Sequence, residues 1–299
     1  MMTIFPRRLA LWTLAALFAA SPTRAVPLVV LNSDGNLFTT GSNNPNQIVT
    51  GVFPSGFNQT GEQLLAIDVR PSNNELYALS SSSALYQVDL ATGEMSQVGA
   101  RFGTKLNGTS FGFDIDPVSD TARVVSNTGQ DLKIDLNTGF ATPESPLAYA
   151  AGDANAGVIP SIVALAYGPS PGGGAPAPLY GLDSRTASFV VVDPDTGLLH
   201  TLGPGFGAIS NLAGLDIDSS GTAYAVVDEI GLTTEENLSP FELAQVDLHT
   251  GIPSRLAFFN GEPIVRDIAV IGSLVPEPGT ALLVATGLLG LAARPRRRA

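Results

Sequence analysis

Cysteine is absent from all 299 residues, and histidine occurs only twice, at His200 and His249. The first absence excludes disulfides as a source of stability, a thiol nucleophile and any cysteine-based metal centre. The two histidines lie in no acid–base constellation, and the chain has no G-x-S-x-G elbow, H-E-x-x-H motif or phosphate-cradling glycine loop. Lysine is limited to Lys105 and Lys133. Of the fifteen basic residues, seven sit in the first 25 and last 25 positions, which leaves eight against 26 acidic groups and a net charge near −18 between Val26 and Leu274. Such a surface repels nucleic acid and anionic lipid, so no nucleic-acid partner is expected. Between the same residues there is no 3.6-residue apolar periodicity, so helices are not expected there.

What is present begins with the two ends. Arg7 and Arg8 precede an apolar run from Leu9 to Ala20, and Ser21 to Ala25 then gives a break and small residues. Charge, apolar core and small residues in that order are the signature of a secretory leader, with cleavage expected between Ala25 and Val26 by a signal peptidase. The run is too short to cross a bilayer, which takes about 20 residues. At the other end Val275-Pro276-Glu277-Pro278-Gly279 is followed by an apolar stretch from Thr280 to Ala293 and by Arg294, Arg296, Arg297 and Arg298. Cationic flanks stay on the cytoplasmic side of a membrane, so this tail would hold the preceding domain outside. The order VPEPG, apolar segment, arginine cluster resembles the PEP-CTERM sorting signal. That resemblance implies an exosortase-type partner acting at Pro276, Glu277 and Pro278, a membrane-tethered precursor, and a final place at the surface or outside a Gram-negative cell that makes extracellular polysaccharide. The chain is therefore read as a leader at 1–25, one domain at 26–274 and a sorting segment at 275–299.

The domain carries an internal repeat. An apolar run followed by Asp-x-x-Thr-Gly occurs at Asp89 to Gly93, Asp135 to Gly139, Asp193 to Gly197 and Asp247 to Gly251, the aspartates stepping by 46, 58 and 54 residues. The chemistry is that of a hairpin turn: the carboxylate accepts the turn's amide protons and glycine takes the positive-φ position. These four aspartates are read as turn caps, not as catalytic groups. A second phrase precedes each copy, at Leu65–Pro71, Phe111–Pro117, Val163–Pro169 and Leu212–Asp218, each followed by a short apolar strand pattern. Four strands per unit at a period near 50 is the pattern of a propeller blade. A fifth first strand stands alone at Ile264–Val270, and its missing partners lie at the start, at Leu28–Leu31, Leu37–Thr39 and Gln47–Val49. The expected fold is all-β, a single propeller of five four-stranded antiparallel blades, with the N-terminal strands completing the last. Helix is expected only in the leader and the tail. A different blade count would follow only from another reading of the Asn137 to Pro160 connection or of the N-terminal segment.

The run Ala122-Arg123-Val124-Val125-Ser126-Asn127-Thr128-Gly129-Gln130-Asp131-Leu132, with Ile134 to Gly139 after it, resembles the DUF4394 family, a domain of unknown function. The similarity extends over most of 26–274. It implies the repeat and the export and supplies no catalytic residue.

One set of residues invites a functional reading. The innermost strands carry Asp68, Arg70, Asp114, Asp116, Asp216, Asp218 and Asp267, and at a period of two Asp68 with Arg70, Asp114 with Asp116, and Asp216 with Asp218 share faces. First strands line a propeller's central channel. Carboxylates converging there are candidate ligands for a cation such as Ca²⁺, which takes oxygen donors. The competing and favoured reading is structural, with the same carboxylates bonding blade to blade and pairing with arginine. The loop Asn32 to Asn36 resembles a calcium loop only in composition and is read as a hairpin turn. Two functions stand against each other. The first is a non-catalytic binding or structural scaffold, partnered by extracellular polysaccharide or a surface protein and needing no cofactor. The second is an extracellular metal-dependent hydrolase or lyase with its carboxylates in the channel. The scarcity of histidine and the lack of any catalytic motif favour the first.

Overall fold

The structure is a computed structural model, and it describes residues 25–230, 241–259 and 264–272. All of its regular elements are strands. Strands β1 (Pro27–Asn32), β2 (Leu37–Gly41) and β3 (Thr50–Val52) come first. Blade one follows as β4 (Leu64–Arg70), β5 (Glu75–Ser80), β6 (Ala84–Val88) and β7 (Met95–Val98). Blade two is β8 (Phe111–Ile115), β9 (Thr121–Ser126), β10 (Asp131–Asp135) and β11 (Ala141–Pro143). A two-strand-residue piece, β12 (Ala148–Tyr149), precedes blade three, which is β13 (Ile162–Tyr167), β14 (Leu179–Asp183), β15 (Ser188–Val192) and β16 (Leu198–Gly203). Blade four is β17 (Ile209–Ile217), β18 (Ala223–Glu229), β19 (Phe241–Val246) and β20 (Pro253–Phe259). The last strand, β21 (Val265–Val270), pairs antiparallel with β1, so blade five runs β21-β1-β2-β3 and the ring is closed by the two ends of the domain.

The strands form because each blade is buried on both faces. In β1, Leu28 and Val30 pack toward blade four while Val29 and Leu31 pack toward blade one. A strand covered on both sides reads as a continuous apolar run, as Leu28 to Leu31 does, rather than as an alternation. The buried apolar residues divide into five clusters, one for each interface between neighbouring blades. Tyr86 and Phe189 are the largest side chains with no exposed surface, and Tyr180 stacks on the latter at 5.6 Å.

The four Thr-Gly turns are capped as expected. Asp135 Oδ1, for example, accepts the amides of Asn137 at 2.8 Å and Thr138 at 2.9 Å, and Asp89, Asp193 and Asp247 repeat the pattern. The glycine of the turn has a second task. Gly139 has φ +68°, and a β-carbon there would run into the carbonyl oxygen of Val98, the last residue of the preceding blade's outer strand. The turns are thus lateral joints between blades at the rim.

One expected strand is displaced. Gln47–Val49 is not a strand; the third N-terminal strand is Thr50–Val52. The Thr40 hydroxyl sits within 3.1 Å of the carbonyls of Asn44, Pro45 and Gln47, folding 42–48 into a compact loop and delaying the return strand. The long connection into blade three proves structured: it lays β12 parallel along β16 and covers that outer edge. The helices expected in the leader and tail lie outside the described residues. Among the described residues no helix is long and apolar enough to cross a membrane.

Candidate functional site

The hub is built by the five innermost strands, β4, β8, β13, β17 and β21. Asp68 Oδ2 accepts the amide of Ile115 in the next blade at 2.8 Å, and Asp114 Oδ1 accepts that of Tyr167 at 3.1 Å. Asp216 Oδ2 likewise accepts the amide of Val270. Each acceptor bonds the residue just after the matching position of its neighbour, so one level of the hub holds Asp68, Asp114, Ala166, Asp216 and Ala269 in ring order. Asp267 belongs one level deeper, because it reaches Ile67, two residues earlier on β4 than that register requires, at 2.9 Å. The other members of its level are Ala66, Gly112, Ala164 and Gly214. A β-carbon on Gly112 would lie 2.7 Å from Leu165 Cβ, so this level admits only small residues around one carboxyl. Below it Ser110 Oγ donates to the Asn211 carbonyl at 2.6 Å, bridging blade two to blade four across the base.

Above the three upper carboxylates opens a pit of about 590 Å³. Its wall includes Ala25, Val26, Pro71, Pro117, Tyr167 and Pro169, and Asp218 stands at its mouth. Among the described residues no lysine, arginine or histidine lines it. Asp68, Asp114 and Asp216 each present an oxygen within 4.8 Å of the others, while remaining only 5%, 3% and 7% exposed. Burial raises the Asp68 and Asp114 carboxyls well above the ordinary range, and neighbouring aspartates raise them further. Burial pushes Asp216 up to about 7, against the pull of the amides of Val270 and Ile217. Asp267 is raised by the same cause. Three like charges so close in a low-dielectric site cannot all ionise unaided; the floor must hold protons or a cation.

The structure therefore brings together Asp68, Asp114 and Asp216 and leaves the other candidates apart. Asp116 is spent on its own turn, accepting from the Val118 amide and the Ser119 hydroxyl, both at 2.8 Å. Asp218 caps its turn through Ser220 and Thr222. Arg70 shares a face with Asp68 in sequence, yet its guanidinium turns to a bidentate pair with Asp120 and a bond to Tyr77 Oη. The structural and the cation readings are not exclusive here: the blade-to-blade bonds are present, and they hold the carboxylates in one cluster. His200 and His249 are on the outer strand and the rim, exposed and away from the hub. The loop Asn32 to Asn36 is a hairpin turn, with Asn32 Oδ1 accepting the Asn36 amide at 2.8 Å. Ala25 and Val26, the expected cleavage junction, stand on the pit wall; Pro276, Glu277 and Pro278 lie outside the described residues.

Sequence reasoning missed the clamp in the most family-like segment. Arg123 is buried and makes a bidentate pair with Asp131, at 2.9 and 2.8 Å, then donates to the Pro194 carbonyl in blade three at 2.7 Å. Asn127 and Gln130 of the same run hold the amides of Thr109 and Asn107 in the incoming linker. The available signal was the spacing of eight between Arg123 and Asp131, which the hairpin makes diagonal neighbours, since Arg123 stands opposite Lys133 and Asp131 opposite Val125.

Comparison with known proteins follows this geometry. No curated protein matches the chain in sequence. Among solved structures, an auxiliary nutrient binding protein from Bacteroides ovatus is similar with a TM-score of 0.44 and 14% identity, over 67% of this chain and 56% of that one. A second auxiliary nutrient binding protein, from Bacteroides thetaiotaomicron, gives 0.43 and 13%, over 66% and 55%. A protein of unknown function from Bacteroides thetaiotaomicron gives 0.47 and 15%, over 82% and 64%. The chain thus spans little more than half the length of the two nutrient binding proteins. The PEP-CTERM protein-sorting motif matches residues 274–298, which implies export by way of a membrane-anchored precursor and processing by an exosortase-type system in Gram-negative bacteria. The model of the domain of unknown function DUF4394 matches residues 36–269, the whole ring except β1, most of the turn after it and the last residue of β21, and the chain belongs to that family.

Proposed function

We propose that this protein is a non-catalytic binding protein of the cell surface or extracellular space, and that it takes its ligand in the hub pit with a divalent cation, Ca²⁺ first, on the carboxylate floor. The observation that carries the reading is the convergence of Asp68, Asp114 and Asp216 under an open cavity of about 590 Å³ with no basic side chain on its wall among the described residues. That volume falls within the range of small-molecule sites. Oxygen-only donors suit a hard cation. A polar unit of an extracellular polysaccharide, whose hydroxyls could complete the coordination, is the ligand proposed above it. Against hydrolysis stands the placement of the carboxylates: each already accepts main-chain amides from its own or the next blade, and among the described residues no histidine lines the pit to serve as a base.

The test is calorimetric titration of the exported protein with Ca²⁺ at neutral pH, paired with thermal melting. Saturable binding near one ion per chain, lost when Asp114→Asn and Asp216→Asn are combined, is expected. A flat titration with an unmoved melting temperature sinks the cation site. Turnover of a polysaccharide that depends on Asp216 would replace the binding reading with the enzymatic one.

A further inference from the structure

The pit wall contains the junction at which the leader is expected to be cut. Ala25 and Val26 both face the cavity that ends on Asp68, Asp114 and Asp216. The Val26 amide donates to Ser42 Oγ at 3.0 Å, and the Ser42 amide returns a bond to the Val26 carbonyl at 2.9 Å, so the residue is fixed in blade five. The surroundings are acidic or neutral throughout. Asp216 comes from β17 and Asp218 from the turn after it; Tyr224 on β18 interacts with both Ser42 and Asp218. No basic side chain among the described residues lines the cavity.

Hydrolysis between Ala25 and Val26 adds one water. Its hydroxyl goes to the Ala25 carbonyl carbon, which leaves as a carboxylate with the leader. The Val26 nitrogen, which already bears one hydrogen, keeps the electron pair of the broken bond and takes up two protons, one from the water and one released as the Ala25 carboxyl ionises, becoming an ammonium at neutral pH. We propose that removal of the leader finishes the binding pit: it strips Ala25 from the wall and sets in its place the α-ammonium of Val26, a cationic group in a cavity whose lining, among the described residues, is otherwise acidic or neutral. One of its protons keeps the bond to Ser42 Oγ, and the others turn toward the space that Ala25 occupied. The mature pit then has an acidic floor and a cationic donor on its wall, an arrangement that selects a ligand with an acceptor group, a hydroxyl or a carboxylate, positioned above the bound cation. The unprocessed precursor lacks the donor and keeps Ala25 in its place on the wall. The inference rests on the pit being the binding site.

The experiment uses the full chain exported through its own leader, its first residue fixed by N-terminal sequencing. The α-amine is labelled by reductive ¹³C-methylation and titrated by NMR; Lys105 and Lys133 are the only other amines. An α-amine in a chain end of ordinary surroundings titrates near 7.7–8.0. The carboxylates that share its cavity are expected to raise it by roughly half a unit or more, and the Asp218→Asn variant is expected to give back part of that rise. A chain beginning at Thr23 is expected to show the ordinary value. A first residue other than Val26, or an ordinary value at Val26 in a chain that melts normally, overturns the inference. The Ca²⁺ result separates the two readings: a raised amine without calcium binding removes the cation and leaves the finished pit, whereas calcium binding with an ordinary amine does the reverse.

Discussion

Asp68 on the first blade and Ile115 on the second are joined by a carboxylate–amide bond of 2.8 Å inside the hub. The same carboxylate takes the amide of Val69 on its own strand at 2.7 Å through its other oxygen. A side chain that closes a blade joint is thus also one of three buried acids at the bottom of a cavity, and the two roles can be pulled apart by substitution. Asp68→Asn keeps an acceptor and removes a like charge. It is expected to leave the melting temperature equal or higher in the absence of cation at pH 7.5 and to abolish Ca²⁺ binding. Asp68→Leu strands two buried amides and should cost about 1–3 kcal/mol for each one left unpaired. Denaturant unfolding of the two variants checks both signs; a destabilised Asn variant would mean that the carboxylate's charge is needed for the fold.

The hub acids also set a pH dependence opposite to that of most proteins. Their folded pKa values are raised, so the stability they contribute is complete below about pH 4, where they are protonated folded or unfolded, and is lost as pH rises through their folded values. For Asp216 the rise from 3.8 to about 7 corresponds to roughly 4 kcal/mol at most, at 1.36 kcal/mol per unit. The cation-free protein is expected to melt at progressively lower temperature between pH 4.5 and pH 7.5, and added Ca²⁺ should flatten that decline. The rim works the other way: Asp135 and Asp193 are lowered by turn amides and a threonine hydroxyl, so their contribution disappears as pH falls below the ordinary carboxylate range. Melting followed from pH 3 to pH 8 would show a maximum near pH 4–5; a plateau up to pH 8 would contradict the placement of these acids.

Gly139 and Gly35 share a positive φ, +68° and +82°, but not a neighbourhood. Gly139 presses on the Val98 carbonyl of the preceding blade, whereas a β-carbon on Gly35 would meet nothing within 4 Å. Gly35→Ala should cost on the order of 1 kcal/mol, the backbone strain alone. Gly139→Ala adds displacement of a blade and is expected to cost at least twice as much. Equal costs in urea unfolding would show that the rim joint yields freely.

Arg123 and Asp131 are both almost wholly buried, and removing one partner leaves an unpaired charge in the interior. Asp131→Asn is expected to destabilise by about 3–5 kcal/mol. Replacing both, Arg123→Met with Asp131→Leu, should recover a large part of that loss, since buried pairs contribute little net stability. Thermal melting of the single and double variants decides it; no recovery in the double variant would place the weight on the Arg123 bond to Pro194 instead.

The architecture was legible because it is repeated. The Asp-x-x-Thr-Gly phrase marks one turn type four times, and a lone fifth strand at the C-terminus has its complement only in Leu28 to Leu31. What failed was local. Nothing in Gln47–Val49 announces that the Thr40 hydroxyl, seven residues away, ties that segment into a loop. The acids of the hub were also found by spacing, yet spacing alone could not rank them. Asp114 and Asp116 differ by one step along the same face, and the first lands in the cluster while the second caps a turn. Asp267 occupies an apparently equivalent strand but sits one level deeper, a shift that only the pairing of β21 with β4 reveals. Arg70 escaped because its partner, Asp120, belongs to the neighbouring blade's turn and has no fixed relation to it in sequence.

The pairing of Leu28 with Val270 has a further consequence, in time. The first strand to leave the ribosome waits for the last, so the ring is closed by the contact of greatest sequence separation in the domain. Loop closure on that scale is slow, and no shorter-range contact can substitute for it. Blades one to four each complete themselves from contiguous chain, but the fifth, and with it the pit, comes into being only when β21 is free to reach β1. A chain translocated in the order of its sequence therefore has no complete pit on the outer side of the membrane until β21 has crossed.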